Sequence, residues 1–162
     1  MSRQRRVTLE HDAGMRFQAT TGTGRTLVFG DEPTANELSP VETVAAALAA
    51  CAAMDVVSIL EKKRQTWDAY RVDTVADQRD EYPQVYTRVD VTHVVTGSGT
   101  TETALRRAVE LSASKYCPVN AMVSAGATEV HHFFALLDSV GASVASGEVT
   151  TTGPDRRPDV IH

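Results

Sequence analysis

Apolar and polar residues alternate at the start of the chain. In "RRVTLEH" Val7 and Leu9 share one side, and in "MRFQAT" Met15, Phe17 and Ala19 do the same, which is the period of a half-buried strand. "HDAG" between them predicts a hairpin turn, and "TGTG" turns the chain into a third strand, "RTLVFG". The pattern then changes to a long helix, "ELSPVETVAAALAACAAMDVVSILEKKRQ". Ser39 is its N-cap, Pro40 falls at the first helical position and Glu42 stands three after the cap, completing a capping box. Lys62, Lys63 and Arg64 close it with positive charge at the negative end of the helix dipole. Apolar residues lie all round its middle, which predicts burial on most sides.

"TWDAYRVDTVADQ" and "PQVYTRVDVTHVVTG" are two further strands joined by the turn "RDEYP"; Val85, Thr87, Val89, Val91, His93 and Val95 share a face of the second. A second amphipathic helix is expected from about Glu102 to Lys115, with Leu105, Ala108, Val109, Ser112 and Tyr116 on one side. Pro118 breaks that helix and suits the first turn of a new one, so Cys117 becomes the N-cap of a short helix from Pro118 to about Ala125, closed by Gly126. "EVHHFFALLD" is the last strand. The predicted order is βββ-α-ββ-α-α-β, an α+β fold with antiparallel sheets packed on the long alanine-rich helix. Residues 1–138 are read as one domain and residues 139–162 as a small, polar C-terminal extension. Within it "ASGEVTTT" is able to add a strand to its own sheet or to a partner subunit.

Composition narrows the function. A chain of 162 residues with 42% apolar and 23% charged residues is a soluble globular composition. The net charge of −5 argues against nucleic acid and anionic membranes as partners. "MSRQRRVTLEHD" has no apolar stretch of a signal peptide, and the longest unbroken apolar run, Val44 to Met54, is short for a membrane span, so the cytoplasm is the expected location.

Two cysteines, Cys51 and Cys117, are too few for a disulfide scaffold, and no CxxC or Cys/His cluster suggests a metal site. On composition alone they read as buried free thiols. Cys117, at a helix N-terminus, has a physical reason to be a reactive thiolate, whereas Cys51, in mid-helix, needs a cation or donor brought from elsewhere. Asp55 lies one turn after Cys51 on the same face; it raises the Cys51 pKa or bonds a distant partner, with a buried structural role expected. His131 and His132 point to opposite faces of a strand, one exposed and one packed, and form no metal site between them. Phe133 and Phe134 are expected in the core and at an interface, and Tyr116 as a pocket wall.

"SPVETVAAALAACAAMDVV" followed by "LSASKYCPVNAM" resembles the osmotically inducible protein C and organic hydroperoxide resistance (OsmC/Ohr) family over about residues 6–137, closest to a less characterised branch. The resemblance implies a homodimeric thiol peroxidase without metal or organic cofactor. Cys51 matches the peroxidatic cysteine, whose thiolate attacks an organic hydroperoxide to give an alcohol and a sulfenic acid. Cys117 matches the resolving cysteine, which closes a disulfide that an external dithiol reduces. Two positions depart from the family pattern. The glutamate that orients an activating arginine is expected one residue earlier, where Val41 stands, so Glu42 takes that role or only caps the helix. The arginine, expected from the segment before the long helix, is Arg16 or Arg25, neither within a matching motif; Arg25 is carried as the candidate. Those departures leave a different reading open: a dimeric module of this fold that binds a small apolar or persulfide ligand, or senses redox state, with weak or no peroxidase activity.

Overall fold

The structure, a computed structural model, describes residues 4–32 and 36–154. It divides into two compact units, Met1–Val44 and Ala45–His162.

The first unit holds the predicted meander: β1 (Val7–Ala13), β2 (Arg16–Thr21) and β3 (Thr26–Phe29), antiparallel in the order β1-β2-β3. Gly14 takes φ 57° in the tight turn between β1 and β2, a conformation glycine adopts at little cost. The first turn of helix α1 (Pro40–Lys62) also lies here, and the Glu42 N–H donates to Ser39 Oγ at 3.5 Å. The predicted cap is therefore in place.

In the second unit a four-stranded sheet runs in the order β4-β5-β6-β7. Its strands are β4 (Ala69–Gln78), β5 (Tyr86–Thr96), β6 (Glu129–Leu137) and β7 (Ser143–Thr152). β5 and β6 are connected through α2 (Glu102–Leu111), a wide turn of π type (Ser112–Tyr116) and α3 (Pro118–Val123). A connection of that length permits a parallel crossover, and β5 pairs with β6 in parallel, from Arg88↔Glu129 to Thr96↔Leu137. The expectation of purely antiparallel sheets is thus corrected for this one pair. The face carrying Val89, Val91, His93 and Val95 of β5 and Val130, His132, Phe134 and Leu136 of β6 is buried. Leu48, Ala52, Val56 and Leu60 of α1 and Leu105, Ala108 and Val109 of α2 complete the core.

Three further expectations change. The segment read as a C-terminal extension contains β7, so "ASGEVTTT" adds its strand to its own sheet, the first of the two options considered; β7 pairs antiparallel with β6 from Val130↔Thr152 to Leu137↔Ser143, and residues 155–162 lie outside the described residues. Gly147 of β7 lies against the Phe134 ring, where a Cβ would stand 3.6 Å from Cε1, an ordinary packing distance. Helix α1 is buried along one stripe rather than all round: Leu48, Ala52, Val56 and Leu60 are buried while Met54 is 74% exposed. By length and composition alone α1 is long and apolar enough to cross a membrane, although that stripe packs into the core. Finally, α2 stops at Leu111 and the chain widens through Ser112–Tyr116 before Cys117, which is extended (φ −75°, ψ 102°) as the residue before a proline tends to be.

Candidate functional site

Cys51 is carried on α1 and is half-buried; Cys117 is buried at the N-cap of α3. Asp55 follows Cys51 by one helical turn on the same face. The two sulfurs and a carboxylate oxygen of Asp55 all lie within 4.8 Å of one another. The structure thus brings together the two cysteines that the chain separates by a strand pair and a helix.

Each member of this cluster is held by a neighbour. The Ser112 hydroxyl donates to Asp55 Oδ2 at 3.0 Å, from the wide turn after α2. Burial raises the Asp55 pKa, partly offset by that bond. The Asn120 N–H donates to Cys117 Sγ at 3.3 Å, as expected for an N-cap side chain. This bond favours a thiolate, but burial outweighs it, and the nearby Cys51 and Asp55 act in the same direction as burial, so the Cys117 thiol is pushed up to about 12. The expectation that its helix N-terminus makes Cys117 a ready thiolate is corrected on this ground: desolvation wins over the cap. Asp55 thus bonds a distant partner, one of the two roles considered for it, and the thiol it disfavours here is Cys117.

Behind Cys117 lies a buried polar network that the sequence reading did not single out. The Asn120 side-chain amide donates to the Ala113 carbonyl (2.9 Å) and to Thr152 Oγ1 of β7 (3.1 Å). Its Oδ1 stands 3.1 Å from His132 Nε2, which places the imidazole proton on Nε2. On the adjoining strand His93 Nδ1 meets the Tyr70 hydroxyl at 2.7 Å. Burial lowers His132 to about 4, with a smaller contribution from His131, and His93 to about 3, with a smaller one from His132. Both imidazoles are neutral near pH 7. His131 faces away and lies 3.2 Å from Glu129 Oε2 and 3.1 Å from Glu148 Oε1, so the two neighbouring histidines divide between the sheet's faces as their alternation predicts. The one available signal for this network was the period-two burial of His93 and His132. Nothing local pointed to Ser112 or Asn120 as partners of Asp55 and Cys117.

A cleft of about 350 Å³ opens beside Asp55, lined by Ser58, Ile59, Lys62, Lys63, Leu111 and Tyr116. Its walls are apolar with two ammonium groups, and Tyr116 takes the wall position expected of it. The other candidates belong to the first unit. Glu42 is exposed in the first turn of α1. Arg25 is exposed before β3, its N–H donating to Thr21 Oγ1 at 3.1 Å. Arg16 pairs with Asp12 (3.0 Å) and Glu37 (3.4 Å).

An α+β chain in which a cysteine in the middle of a long alanine-rich helix meets a second cysteine capping a short one defines a recognisable class. The chain belongs to the OsmC-like protein family, whose sequence model matches residues 32–132. It is 33% identical over 120 residues to Protein YhfA of Escherichia coli K12, covering 74% of this chain and 90% of that one. A hypothetical protein of Aquifex aeolicus VF5 has a similar structure, with a TM-score of 0.74, 28% identity and coverage of 85% and 98% of the two chains. A Legionella pneumophila structure described as an organic hydroperoxide resistance protein OsmC, predicted redox protein and regulator of sulfide bond formation shares the fold. Its TM-score is 0.57 at 14% identity, over 83% of this chain and 96% of that one.

Proposed function

We propose that the protein is a thiol-dependent peroxidase that reduces organic hydroperoxides. The observation that carries this reading is the approach of the Cys51 and Cys117 sulfurs to within 4.8 Å. Closing a disulfide at about 2.05 Å then needs a movement of less than about 3 Å. The Cys51 thiolate attacks the terminal oxygen, the O–O bond breaks, and an alcohol leaves with a proton while Cys51 becomes a sulfenic acid. The Cys117 sulfur then attacks the Cys51 sulfur, releasing water and closing the disulfide, and an external dithiol reduces it by exchange. Cys51 is the attacking thiol because it is half-exposed, while Cys117 is buried and held protonated. The cleft walled by Ile59, Leu111 and Tyr116 suits the organic part of the substrate. Arg25 and Glu42 are the proposed activating residues, a role that the Arg25→Ala variant tests. The acting form is a cytoplasmic homodimer. Exposed apolar residues of the first unit, Val7, Leu9 and Met15, support the dimer, and sedimentation at micromolar concentration checks it.

The experiment is turnover of cumene hydroperoxide with a dithiol reductant. Wild type is expected to turn over repeatedly, Cys51→Ser to lose at least a hundredfold, and Arg25→Ala to lose about tenfold or more in kcat/KM. A Cys51→Ser protein as active as wild type contradicts the assignment. One observation favours a second reading. Burial and the Asp55 carboxylate both disfavour a Cys117 thiolate, which suits a redox-sensing or ligand-binding module whose disulfide closes slowly. A single stoichiometric oxidation without further turnover is its signature.

A further inference from the structure

The peroxidase chemistry has no use for Asp55. A carboxylate beside two thiols opposes thiolate formation, yet Asp55 is positioned by a hydrogen bond from Ser112, 57 residues away. Two sulfurs and one carboxylate oxygen converging from two helices are, however, the donor set of a metal. We propose that Cys51, Asp55 and Cys117 form a zinc-class metal site that competes with the Cys51–Cys117 disulfide.

The geometry supports it on three grounds. Cys51 and Asp55 stand one turn apart on a single rigid helix, so two ligands are prearranged. Cys117 supplies the third from the start of α3. In a tetrahedral zinc site with Zn–S about 2.3 Å and Zn–O about 2.1 Å, the ligand atoms are roughly 3.5–3.8 Å apart, so a cluster already within 4.8 Å needs to contract by about an ångström at most. The outer contacts are also of the kind that orients ligands. Ser112 holds Asp55 by Oδ2, and the Asn120 N–H points at Cys117 Sγ. Asp55 itself lines the neighbouring cleft, so its carboxylate is reached from there.

Donor chemistry selects the ion. Two thiolates exclude magnesium and calcium, while a thiolate–carboxylate set at tetrahedral spacing suits zinc and its spectroscopic substitute cobalt(II). Binding displaces one proton from each thiol that is protonated, so affinity rises with pH. A bound metal holds both sulfurs as ligands. It blocks alkylation of Cys51 and closure of the disulfide, and oxidation to the disulfide removes two of its three protein ligands.

The proposal stands on the geometry and is independent of the peroxidase reading, so the test is made without peroxide. Reduced, chelator-treated protein is titrated with cobalt(II), then zinc. The expected result is one ion per chain, a thiolate-to-cobalt charge-transfer band that zinc abolishes, and at least tenfold protection of Cys51 and Cys117 from alkylation. Asp55→Ala and Cys117→Ser should each weaken binding at least tenfold. If Asp55→Ala folds poorly, the wild-type titration still decides: the absence of a thiolate–cobalt band overturns the proposal. So does an Asp55→Ala protein that binds as tightly as wild type. Metal-free protein that turns over hydroperoxide normally while failing to bind cobalt refutes this inference and leaves the peroxidase reading intact; the opposite outcome refutes only the latter.

Discussion

At the scale of single residues the site is governed by competition between burial and local donors. Cys117 sits where its sequence position predicts, as the cap of a helix opened by Pro118, and the Asn120 N–H meets its sulfur. What the sequence does not carry is the desolvation that reverses the consequence, because burial of a side chain depends on what packs over it from distant segments. The Asp55–Ser112 bond is hidden for the same reason. The buried histidines were easier to place, since strand alternation puts His93 among Val89, Val91 and Val95. They also set a pH dependence. The folded pKa values, about 3 for His93 and about 4 for His132, lie below the unfolded value of 6.5, so the unfolded chain binds more protons between these limits. Stability therefore falls as pH drops from about 6.5 toward 4, by up to about 1.4 kcal/mol per pH unit for each histidine. Urea unfolding at pH 7 and pH 5 measures this. Replacement of His132 by Gln, whose amide donates to Asn120 Oδ1 without titrating, should reduce the slope by about half; an unchanged slope contradicts the assignment.

At the scale of elements the order of the first six strands and the helices was legible from periodicity and punctuation, because capping residues, turn glycines and Pro118 act locally. The pairing of β5 with β6 was not, since parallel pairing is decided by the route of the α2–α3 crossover and leaves no mark on either strand. β7 was legible only as a strand that "ASGEVTTT" is able to add to its own sheet or to a partner's, because its signal is weak: Ala145 and Gly147 alternate with exposed neighbours, but both are small. Gly147 packs against Phe134, and Thr152 reaches Asn120 behind Cys117. A chain ended before Ser143 should therefore expose the β6 edge and lose cooperative unfolding and solubility. Circular dichroism melting and light scattering test this, and a truncated protein that melts like the full chain would show that β7 is dispensable.

At the scale of the whole molecule, membership of the OsmC-like family and the convergence of two cysteines define what the fold is built to hold. The family motifs were readable because they sit at the caps and in the middle of helices, where spacing is fixed by the element. The proposed activating charge was not, because Arg16 and Arg25 have no motif around them. Met54 of α1 and Leu9 of β1 are large exposed apolar residues, which is what the proposed homodimer would cover. The central claim is that Cys51 and Cys117 are a redox pair, and it is tested most directly by peptide mapping. Reduced protein is mixed with one equivalent of organic hydroperoxide, trapped with an alkylating reagent, digested and weighed. The account predicts a Cys51–Cys117 linked peptide two hydrogens lighter than the two reduced peptides, and in the Cys117→Ser protein a Cys51 sulfenic acid. Recovery of both cysteines as alkylated thiols after the hydroperoxide has been given time to react would contradict it.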